Sequence, residues 1–391
     1  MDRFVRGLSD GARQTPASGI IAAVNHGRGK PGLIPLWAGE SDLPTPRFIV
    51  EAAQKALADG ATFYTHQLGI PPLREALAAY YEAQFGKTFD PDTFFVTGSG
   101  MQAIQTAVRL AVGPGEEILV PSPSWPNIAG ATIAQGSRPV AVPLGEEGGR
   151  WRLDVGDLER AVTPATRALF INSPANPTGW VANRETLEAI LGLARRHDLW
   201  IIADEIYSRF VYDGSARAPS FLDIAEPSDP IVYVNTFSKN WAMTGWRMGW
   251  IHTSATIKQS VANLIQYSTS GTAEFMQRAG VVALNEGDWF VRHMIRRADE
   301  GRQIVDDGFA GNNRVTYAAP DGAFYAFFRV AGLADATEAA FRLIDEAGVG
   351  TAPGTAFGEG GQGFVRVCFA RSGDSLREAM RRLGHYLETS C

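Results

Sequence analysis

Short apolar runs alternate with helical patterns through the middle of the chain. Apolar runs predict β-strands at 94–97, 118–121, 139–142, 168–172, 200–204 and 231–235. Apolar residues at helical spacing predict helices over 47–59, 72–85, 100–112, 125–135, 154–162 and 183–197. Short strands separated by helices are typical of a mostly parallel sheet that is covered on both faces. We therefore predict an α/β unit in this part of the chain.

The two ends of the chain show a different pattern. Residues 1–35 predict an arm with a short helix, and a loop rich in proline follows at 39–46. A long helical stretch is predicted over about 273–308, and then an apolar segment at 322–330, a helix over 336–347, a strand at 364–369 and a helix over 374–388. We predict three parts: an N-terminal arm with part of a small domain (1–45), a large domain (46–280) and a small C-terminal α+β domain (281–391).

Composition narrows the class of protein. A chain of 391 residues with 45% hydrophobic residues can bury two domain cores. The net charge of -6 and the lack of a run of Lys and Arg argue against nucleic acid and membranes as partners. No apolar run approaches the roughly 18 residues of a membrane span, and the first residues do not form a signal peptide. We expect a soluble cytoplasmic protein without disulfides, in which Cys368 is buried and Cys391 is exposed.

Polar residues follow four of the predicted strands, at the points where those strands end. Ser99 and Gly100 follow the first strand, and Asn176, Asp204 and Lys239 follow or end three others. Ligands of open α/β sheets bind outside the carboxyl ends of the strands. If the strands are parallel neighbours, these residues share one rim of the sheet.

Each strand end suits a part of a phosphorylated ligand, although each has a simpler explanation. The turn at Ser99-Gly100-Met101 opens a helix, and helix N-termini favour anions. A plain loop explains that turn equally well, and most lysines are surface residues. Arg247 follows Lys239 among aromatic and small residues, which predicts a buried or partly buried cation that needs an anion.

Five ordered blocks resemble one known family. Thr236-Phe-Ser-Lys-Asn-Trp-Ala-Met-Thr-Gly-Trp-Arg-Met-Gly249 resembles the pyridoxal-phosphate attachment signature of the class I/II aminotransferases, with Thr where Gly or Ser is usual. The other blocks, in order, are Gly39-Glu-Ser-Asp-Leu-Pro-Thr-Pro46, Tyr64-Thr-His-Gln-Leu-Gly-Ile-Pro-Pro-Leu-Arg-Glu-Ala-Leu77, Asn172-Ser-Pro-Ala-Asn-Pro-Thr-Gly179 and Asp204-Glu-Ile-Tyr207. The resemblance covers nearly the whole chain. It implies the fold of the aspartate aminotransferase superfamily, fold type I, with a seven-stranded, mainly parallel sheet.

The resemblance also implies the cofactor, pyridoxal 5′-phosphate, and the roles of individual residues. Lys239 would hold the cofactor as a Schiff base and move the substrate proton, and Asp204 would keep the pyridine nitrogen protonated. Arg366 and the backbone N–H of Gly39 would bind the substrate carboxylate, with Asn176 close by. The remaining cofactor contacts would come from Tyr207 and Asn176 at the ring oxygen, Trp125 on the ring face, and Ser99, Gly100, Met101, Thr236, Ser238 and Arg247 at the phosphate.

The family pattern implies a homodimer and no metal ion. Tyr64 matches a tyrosine that reaches the phosphate of the second subunit. Several of these residues also have structural explanations that the sequence leaves open. Asp204 suits a cap or turn, Asn176 suits a turn before Pro177, and Trp125 suits a core or an interface.

The expected reaction is ping-pong transfer of an amino group from an L-amino acid to a 2-oxo acid. A carbon–sulfur β-lyase is the first alternative, because Pro35-Leu-Trp-Ala-Gly39 is faintly similar to such lyases. A non-catalytic regulator that binds the cofactor is a remote alternative, since the sequence shows no basic recognition helix.

The substrate side chain is expected to be neutral. Some relatives that prefer acidic substrates carry a lysine where this chain has Met101, and methionine cannot pair with an anion. The segment 16–21, which often closes over the substrate in this family, is largely apolar as well. We expect an apolar or aromatic amino acid to react at least as well as aspartate, unless Met101 simply packs in its helix.

Overall fold

The computed structural model describes residues 3–332 and 335–389, so the expectation about Cys391 falls outside the described residues. Cys368 is buried, as predicted. The helices are Arg3–Arg6, Asp10–Gln14, Gly19–Gly27, Arg47–Ala58, Pro71–Phe85, Gly100–Ala111, Pro126–Ala134, Val155–Ala161, Arg184–His197, Phe237–Asn240, Lys258–Gln266, Glu274–Glu286, Asp288–Phe309, Ala336–Asp345 and Gly373–Thr389. No helix in this described part is long and apolar enough to cross a membrane.

A seven-stranded sheet forms the centre of the fold. Its strands, in their order across the sheet, are Phe94–Thr97, Gly249–His252, Ile231–Thr236, Trp200–Asp204, Thr166–Asn172, Glu117–Ser122 and Arg138–Pro143. The predicted strands of this block are all present within a few residues of their expected bounds. The strands from Ile231–Thr236 to Arg138–Pro143 run parallel to one another. The α/β class and the mostly parallel sheet are therefore confirmed.

The strand Gly249–His252 was not predicted. It lies between Phe94–Thr97 and Ile231–Thr236 and is antiparallel to both. All four of its residues are buried, so its sequence lacks the alternation of a half-exposed strand. It also begins at Gly249, the last residue of the segment that resembles the cofactor-attachment signature.

A second, four-stranded sheet is built from the C-terminal part of the chain. Its antiparallel strands, in order, are Val315–Tyr317, Tyr325–Val330, Phe364–Cys368 and Ala352–Pro353. The strand Ile34–Pro35 pairs in parallel with Val349–Gly350. A segment near the N-terminus thus lies against the C-terminal part, while the domain boundaries at 45/46 and 280/281 stay a prediction.

The stretch predicted to be helical over about 273–308 is helical in the structure, but it is divided into two helices. Glu274–Glu286 ends and Asp288–Phe309 begins on either side of Gly287. A Cβ at position 287 would lie 2.3 Å from the carbonyl oxygen of Ala283 and 2.6 Å from Nε1 of Trp241. The turn therefore needs a residue without a side chain at the point where it packs on the buried Trp241.

Candidate active site

A cavity of about 320 Å³ opens at the carboxyl ends of the parallel strands. Residues of both sheets and of the loops between them line it. Most of the residues singled out in the sequence are among them: Gly39, Gly100, Met101, Trp125, Asn176, Asp204, Tyr207, Thr236, Ser238, Lys239, Arg247 and Arg366. Ser99 lies one residue before this lining and Tyr64 lies away from it.

Lys239 is placed by the end of a strand and a short helix. Thr236 ends the strand Ile231–Thr236, and its Oγ1 accepts a hydrogen bond of 3.2 Å from the backbone N–H of Ser238. This cap starts the helix Phe237–Asn240, which carries Lys239 into the cavity. The Nζ of Lys239 donates a hydrogen bond of 2.6 Å to the carbonyl oxygen of Gly39.

The environment of Lys239 favours its neutral amine. The pKa of Lys239 is lowered to about 8, mainly by desolvation and also by the positive charges of Arg366 and Arg247, whereas Cys368 and Glu40 raise it. A pKa near 8 leaves a usable fraction of free amine at neutral pH. A free amine can act as a nucleophile and as a proton acceptor.

Asp204 ends a central strand and is buried. Its exposed fraction is 1%, and one carboxylate oxygen accepts a hydrogen bond of 3.4 Å from the N–H of Ile206. Burial raises the pKa of Asp204 to about 7, although that N–H and the charge of Lys239 oppose the rise. A buried carboxylate with so few partners suits a cationic ligand group.

Arg366 is the other strongly buried ionic group of the cavity. It lies in the middle of the strand Phe364–Cys368 with an exposed fraction of 2%. Nη1 donates a hydrogen bond of 2.8 Å to Oδ1 of Asn176, and Nη2 donates to the carbonyl oxygen of Trp37. Nε has no hydrogen-bond partner within residues 3–332 and 335–389. Both acceptors are uncharged, so the guanidinium remains able to bind an anion in the cavity.

The turn before the helix Gly100–Ala111 has a tightly packed backbone. Oγ of Ser99 caps this helix by accepting a hydrogen bond of 3.0 Å from the N–H of Gln102. Beneath the turn, a Cβ at Gly249 would lie 2.8 Å from the nitrogen of Gly100. Thr236 and Ser238 bring hydroxyl groups close together, with 2.9 Å between their oxygens. Hydroxyls at a helix N-terminus form a suitable site for a phosphate.

The prediction that Arg247 is buried or partly buried is wrong for the single chain. Arg247 lines the cavity but is exposed, and its Nη1 donates a hydrogen bond of 2.7 Å to the carbonyl oxygen of Thr244. The aromatic residue beside it, Trp246, instead turns its indole N–H towards Oγ1 of Thr45. The guanidinium therefore remains exposed while it borders the cavity.

Met101 and Trp125 both line the cavity. Both are half-buried, and the amide of Asn127 lies 3.5 Å from the sulfur of Met101. Ile20, from the helix Gly19–Gly27, also lines the cavity. Apolar side chains thus form part of the cavity lining.

Tyr64 has a different setting from the other predicted site residues. Its exposed fraction is 95%, and that of the neighbouring Phe63 is 81%. Exposed aromatic side chains next to each other are typical of an interface. The expectation that Tyr64 reaches a second subunit stays a prediction.

Several cavity residues were not singled out in the sequence. Tyr325 begins the strand Tyr325–Val330, Trp37 lies just before Gly39, and Asn172 ends the strand Thr166–Asn172. Asn172 accepts a hydrogen bond of 2.8 Å from the N–H of Asn176, and its amide donates one of 3.1 Å to the carbonyl oxygen of Asp204. A polar residue at a buried strand end could have indicated Asn172, whereas Tyr325 and Trp37 look like ordinary core residues.

Comparisons with known proteins agree with this geometry. The model of the family described as aminotransferase class I and II matches residues 31–383. Aromatic-amino-acid aminotransferase 2 of Thermococcus litoralis is 37% identical over 97% of this chain and 98% of its own length. Aspartate aminotransferase of Pyrococcus abyssi is also 37% identical, over 91% of this chain and 92% of its own length.

Solved structures give the same result. The aromatic aminotransferase from Pyrococcus horikoshii superimposes with a TM-score of 0.86 at 35% identity, over 94% of this chain and 98% of that structure. The match therefore covers nearly the whole of both chains. This chain belongs to the class I and II aminotransferase family.

Proposed function

We propose that this aminotransferase takes a neutral, apolar or aromatic L-amino acid as donor, and that the cavity at Lys239 is its active site. Enzymes of this family use pyridoxal 5′-phosphate and pass the amino group to a 2-oxo acid. The observation that carries the proposal is the convergence of Lys239, Asp204 and Arg366 in one cavity. These are an amine, a buried carboxylate and a buried guanidinium, and the reaction needs all three.

The residues present fit the cofactor. Ser99, Gly100, Thr236 and Ser238 would hold its phosphate at the helix N-terminus, with Arg247 at the mouth of the cavity. Asp204 would pair with its ring nitrogen, and a cationic nitrogen there would remove the cost of the buried carboxylate. Further contacts would come from Met101 at the phosphate, Trp125 on the ring face, and Tyr207 and Asn176 at the ring oxygen.

The chain's own residues would carry out the remaining steps. Arg366 and the N–H of Gly39 would bind the substrate carboxylate and orient Cα towards Lys239. The bound cofactor supplies an electron sink for Cα, since its ring accepts negative charge. The amine of Lys239 would take up and return the proton at Cα, which its pKa of about 8 supports.

The distribution of charge supports a neutral donor. The cationic side chains that line the described cavity are Lys239, Arg247 and Arg366. The proposal assigns Lys239 to the covalent link with the cofactor, Arg247 to the phosphate of the cofactor and Arg366 to the α-carboxylate of the substrate. A second substrate carboxylate would then lie near Met101 and Ile20 without a cationic partner, which is costly.

Single-turnover assays test this proposal. The cofactor-loaded enzyme is mixed with phenylalanine, leucine, alanine or aspartate, and the visible absorbance is followed. Phenylalanine should react at least as fast as aspartate. A hundredfold preference for aspartate, about 2.7 kcal/mol, would contradict the proposed donor class. Release of pyruvate and ammonia from cystathionine, without transfer to a 2-oxo acid, would favour the β-lyase alternative.

Substitution of Met101 sharpens the test. Met101→Lys should raise the rate with aspartate relative to phenylalanine by roughly tenfold or more, because it adds a cation beside the apolar end of the cavity. Gln105→Lys is the matched control, since Gln105 lies one helical turn further along and is exposed. Equal effects of both substitutions would show that Met101 does not face the substrate.

We also propose a homodimer as the working unit. The exposed pair Phe63 and Tyr64 supports it, because such aromatic groups are usually covered in the functional state. The partner's Tyr64 would then add a hydroxyl at the phosphate. The cytoplasmic location expected from the sequence stays a prediction.

A further inference from the structure

Tyr325 is a cavity residue to which the proposed function gives no role. It begins the strand Tyr325–Val330, and its exposed fraction is 1%. Its hydroxyl oxygen lies 2.6 Å from the hydroxyl oxygen of Tyr207. Tyr207 is also buried and lines the same cavity. Two buried phenols therefore share one short hydrogen bond beside the amine of Lys239.

The direction of this bond follows from counting protons. A phenol has one hydrogen to donate, and its oxygen can accept others. If Tyr207 donates its hydrogen to the ring oxygen of the cofactor, it has none left for Tyr325. The shared hydrogen must then come from Tyr325. A hydroxyl that accepts a hydrogen bond becomes a better donor. The bond from Tyr325 to Tyr207 therefore strengthens the bond from Tyr207 to the ring oxygen of the cofactor.

Packing fixes the Tyr325 hydroxyl in this position. The guanidinium carbon of Arg366 lies 4.5 Å from the centre of the Tyr325 ring. The rings of Tyr325 and Tyr207 meet edge to face, with 5.6 Å between their centres. On the other side, a Cβ at Gly39 would lie 2.0 Å from the Tyr325 hydroxyl oxygen. The hydroxyl thus occupies space that only a glycine at position 39 leaves free.

We propose that Tyr325 is a positioning residue of the amino-transfer site, whose hydroxyl donates to Tyr207 and thereby directs the Tyr207 proton at the ring oxygen of the cofactor. This inference rests on the role proposed for Tyr207. It also connects the two ends of the site, because the ring of Tyr325 packs against the arginine that would bind the substrate carboxylate.

The test follows the visible absorbance band of the bound cofactor as a function of pH. A hydrogen-bond donor stabilises the negative charge on the ring oxygen, and this lowers the pH midpoint of the band. Tyr207→Phe should therefore raise the midpoint. Tyr325→Phe should raise it by a smaller amount, a few tenths of a pH unit or about a twofold change in the equilibrium. In the Tyr207→Phe background, Tyr325→Phe should cause no further shift.

Two controls separate this role from a structural one. Tyr212→Phe removes a hydroxyl that donates to the carbonyl oxygen of Ala323, outside the cavity, and should leave the midpoint unchanged. Thermal unfolding checks that each variant is folded. If Tyr325→Phe does not fold, Tyr325→Met removes the same hydroxyl and should shift the midpoint in the same direction. The groups that act electrostatically on Lys239 are unchanged in the tyrosine variants: Cys368, Glu40, Arg366 and Arg247.

The outcomes distinguish a failure of the role proposed for Tyr325 from a failure of the role proposed for Tyr207. An unchanged midpoint in Tyr207→Phe would overturn the role of Tyr207 and the inference with it. A shift in Tyr207→Phe without one in Tyr325→Phe would overturn the inference alone. Equal shifts from Tyr325→Phe in both backgrounds would show that Tyr325 does not act through Tyr207, and this result also overturns the inference.

Discussion

Nη1 of Arg366 lies 2.8 Å from Oδ1 of Asn176, although 190 residues separate them in the chain. Arg366 belongs to a strand of the four-stranded sheet, and Asn176 lies in the loop after the strand Thr166–Asn172 of the large sheet. Both side chains are buried. The contact therefore joins the two sheets at the place where the substrate carboxylate is proposed to bind.

Arg366→Lys should raise the KM for both the amino acid and the 2-oxo acid by roughly 10- to 100-fold. A lysine cannot make the forked pair of charge-assisted hydrogen bonds that a guanidinium makes with a carboxylate. Steady-state kinetics measure the effect. Arg329→Lys is the matched control, because Arg329 lies on the neighbouring strand opposite Phe364 but is exposed. Similar KM values for Arg366→Lys and the control would contradict the proposed carboxylate site.

Asp204→Asn should lower turnover about a hundredfold or more. The amide cannot supply the negative charge that would keep the ring nitrogen of the cofactor protonated. Glu205→Gln provides a comparison at the next residue, where a carboxyl oxygen accepts a hydrogen bond of 2.6 Å from Ser220 away from the cavity lining. That variant should keep far more activity. Near-normal turnover in Asp204→Asn would show that Asp204 has a structural role and no role in catalysis.

Asp204 should also set a pH dependence of stability in the cofactor-free protein. Its folded pKa of about 7 lies above the ordinary value of 3.8, so folding favours the protonated form. The contribution of Asp204 to the free energy of unfolding is fully present below about pH 4, and it is lost as the pH rises through the folded pKa of about 7. The free energy of unfolding of Asp204→Asn, relative to wild type, should therefore increase from pH 5 to pH 8 by on the order of 1–4 kcal/mol.

Urea unfolding of both cofactor-free proteins at the two pH values measures this difference. Burial also raises the pKa of Glu205, to about 8, but this residue is present in both proteins and its effect cancels to first order. A constant difference between wild type and Asp204→Asn would show that Asp204 is not protonated on folding.

Mixed subunits test the proposed dimer. Tyr64→Phe chains and Lys239→Ala chains are refolded together, and activity is compared with each variant alone. A hybrid dimer has one site with both lesions and one site with neither, so activity per intact Lys239 should exceed that of Tyr64→Phe. A fully active monomer in analytical ultracentrifugation at assay concentration would refute the shared site.

The sequence predicted the large sheet well, for a physical reason. Strands such as Phe94–Thr97 and Trp200–Asp204 are buried on both faces and therefore appear as continuous apolar runs. Their polar ends identified Asp204 and Lys239 because ligands bind at that rim. The role of Arg366, in contrast, was implied by the family resemblance. The position of a charged guanidinium inside an apolar strand supported that role.

Features that depend on tertiary packing were beyond the sequence. The break at Gly287 depends on the position of Trp241, and the fit of Tyr325 depends on Gly39, far away in the chain. The exposure of Arg247 also depends on how the loop turns, since its aromatic neighbours suggest burial. Local patterns contain no information about such contacts between distant segments.

Borohydride reduction followed by peptide mapping tests the central claim most directly. The claim is that Lys239 binds the cofactor covalently, since it is the lysine that lines the cavity. Reduction should fix the cofactor's mass on the peptide that contains Lys239, and Lys239→Ala should lose both this label and amino transfer while keeping its fold. A label on Lys30, Lys55, Lys87 or Lys258, or amino transfer by Lys239→Ala at the wild-type rate, would contradict the account.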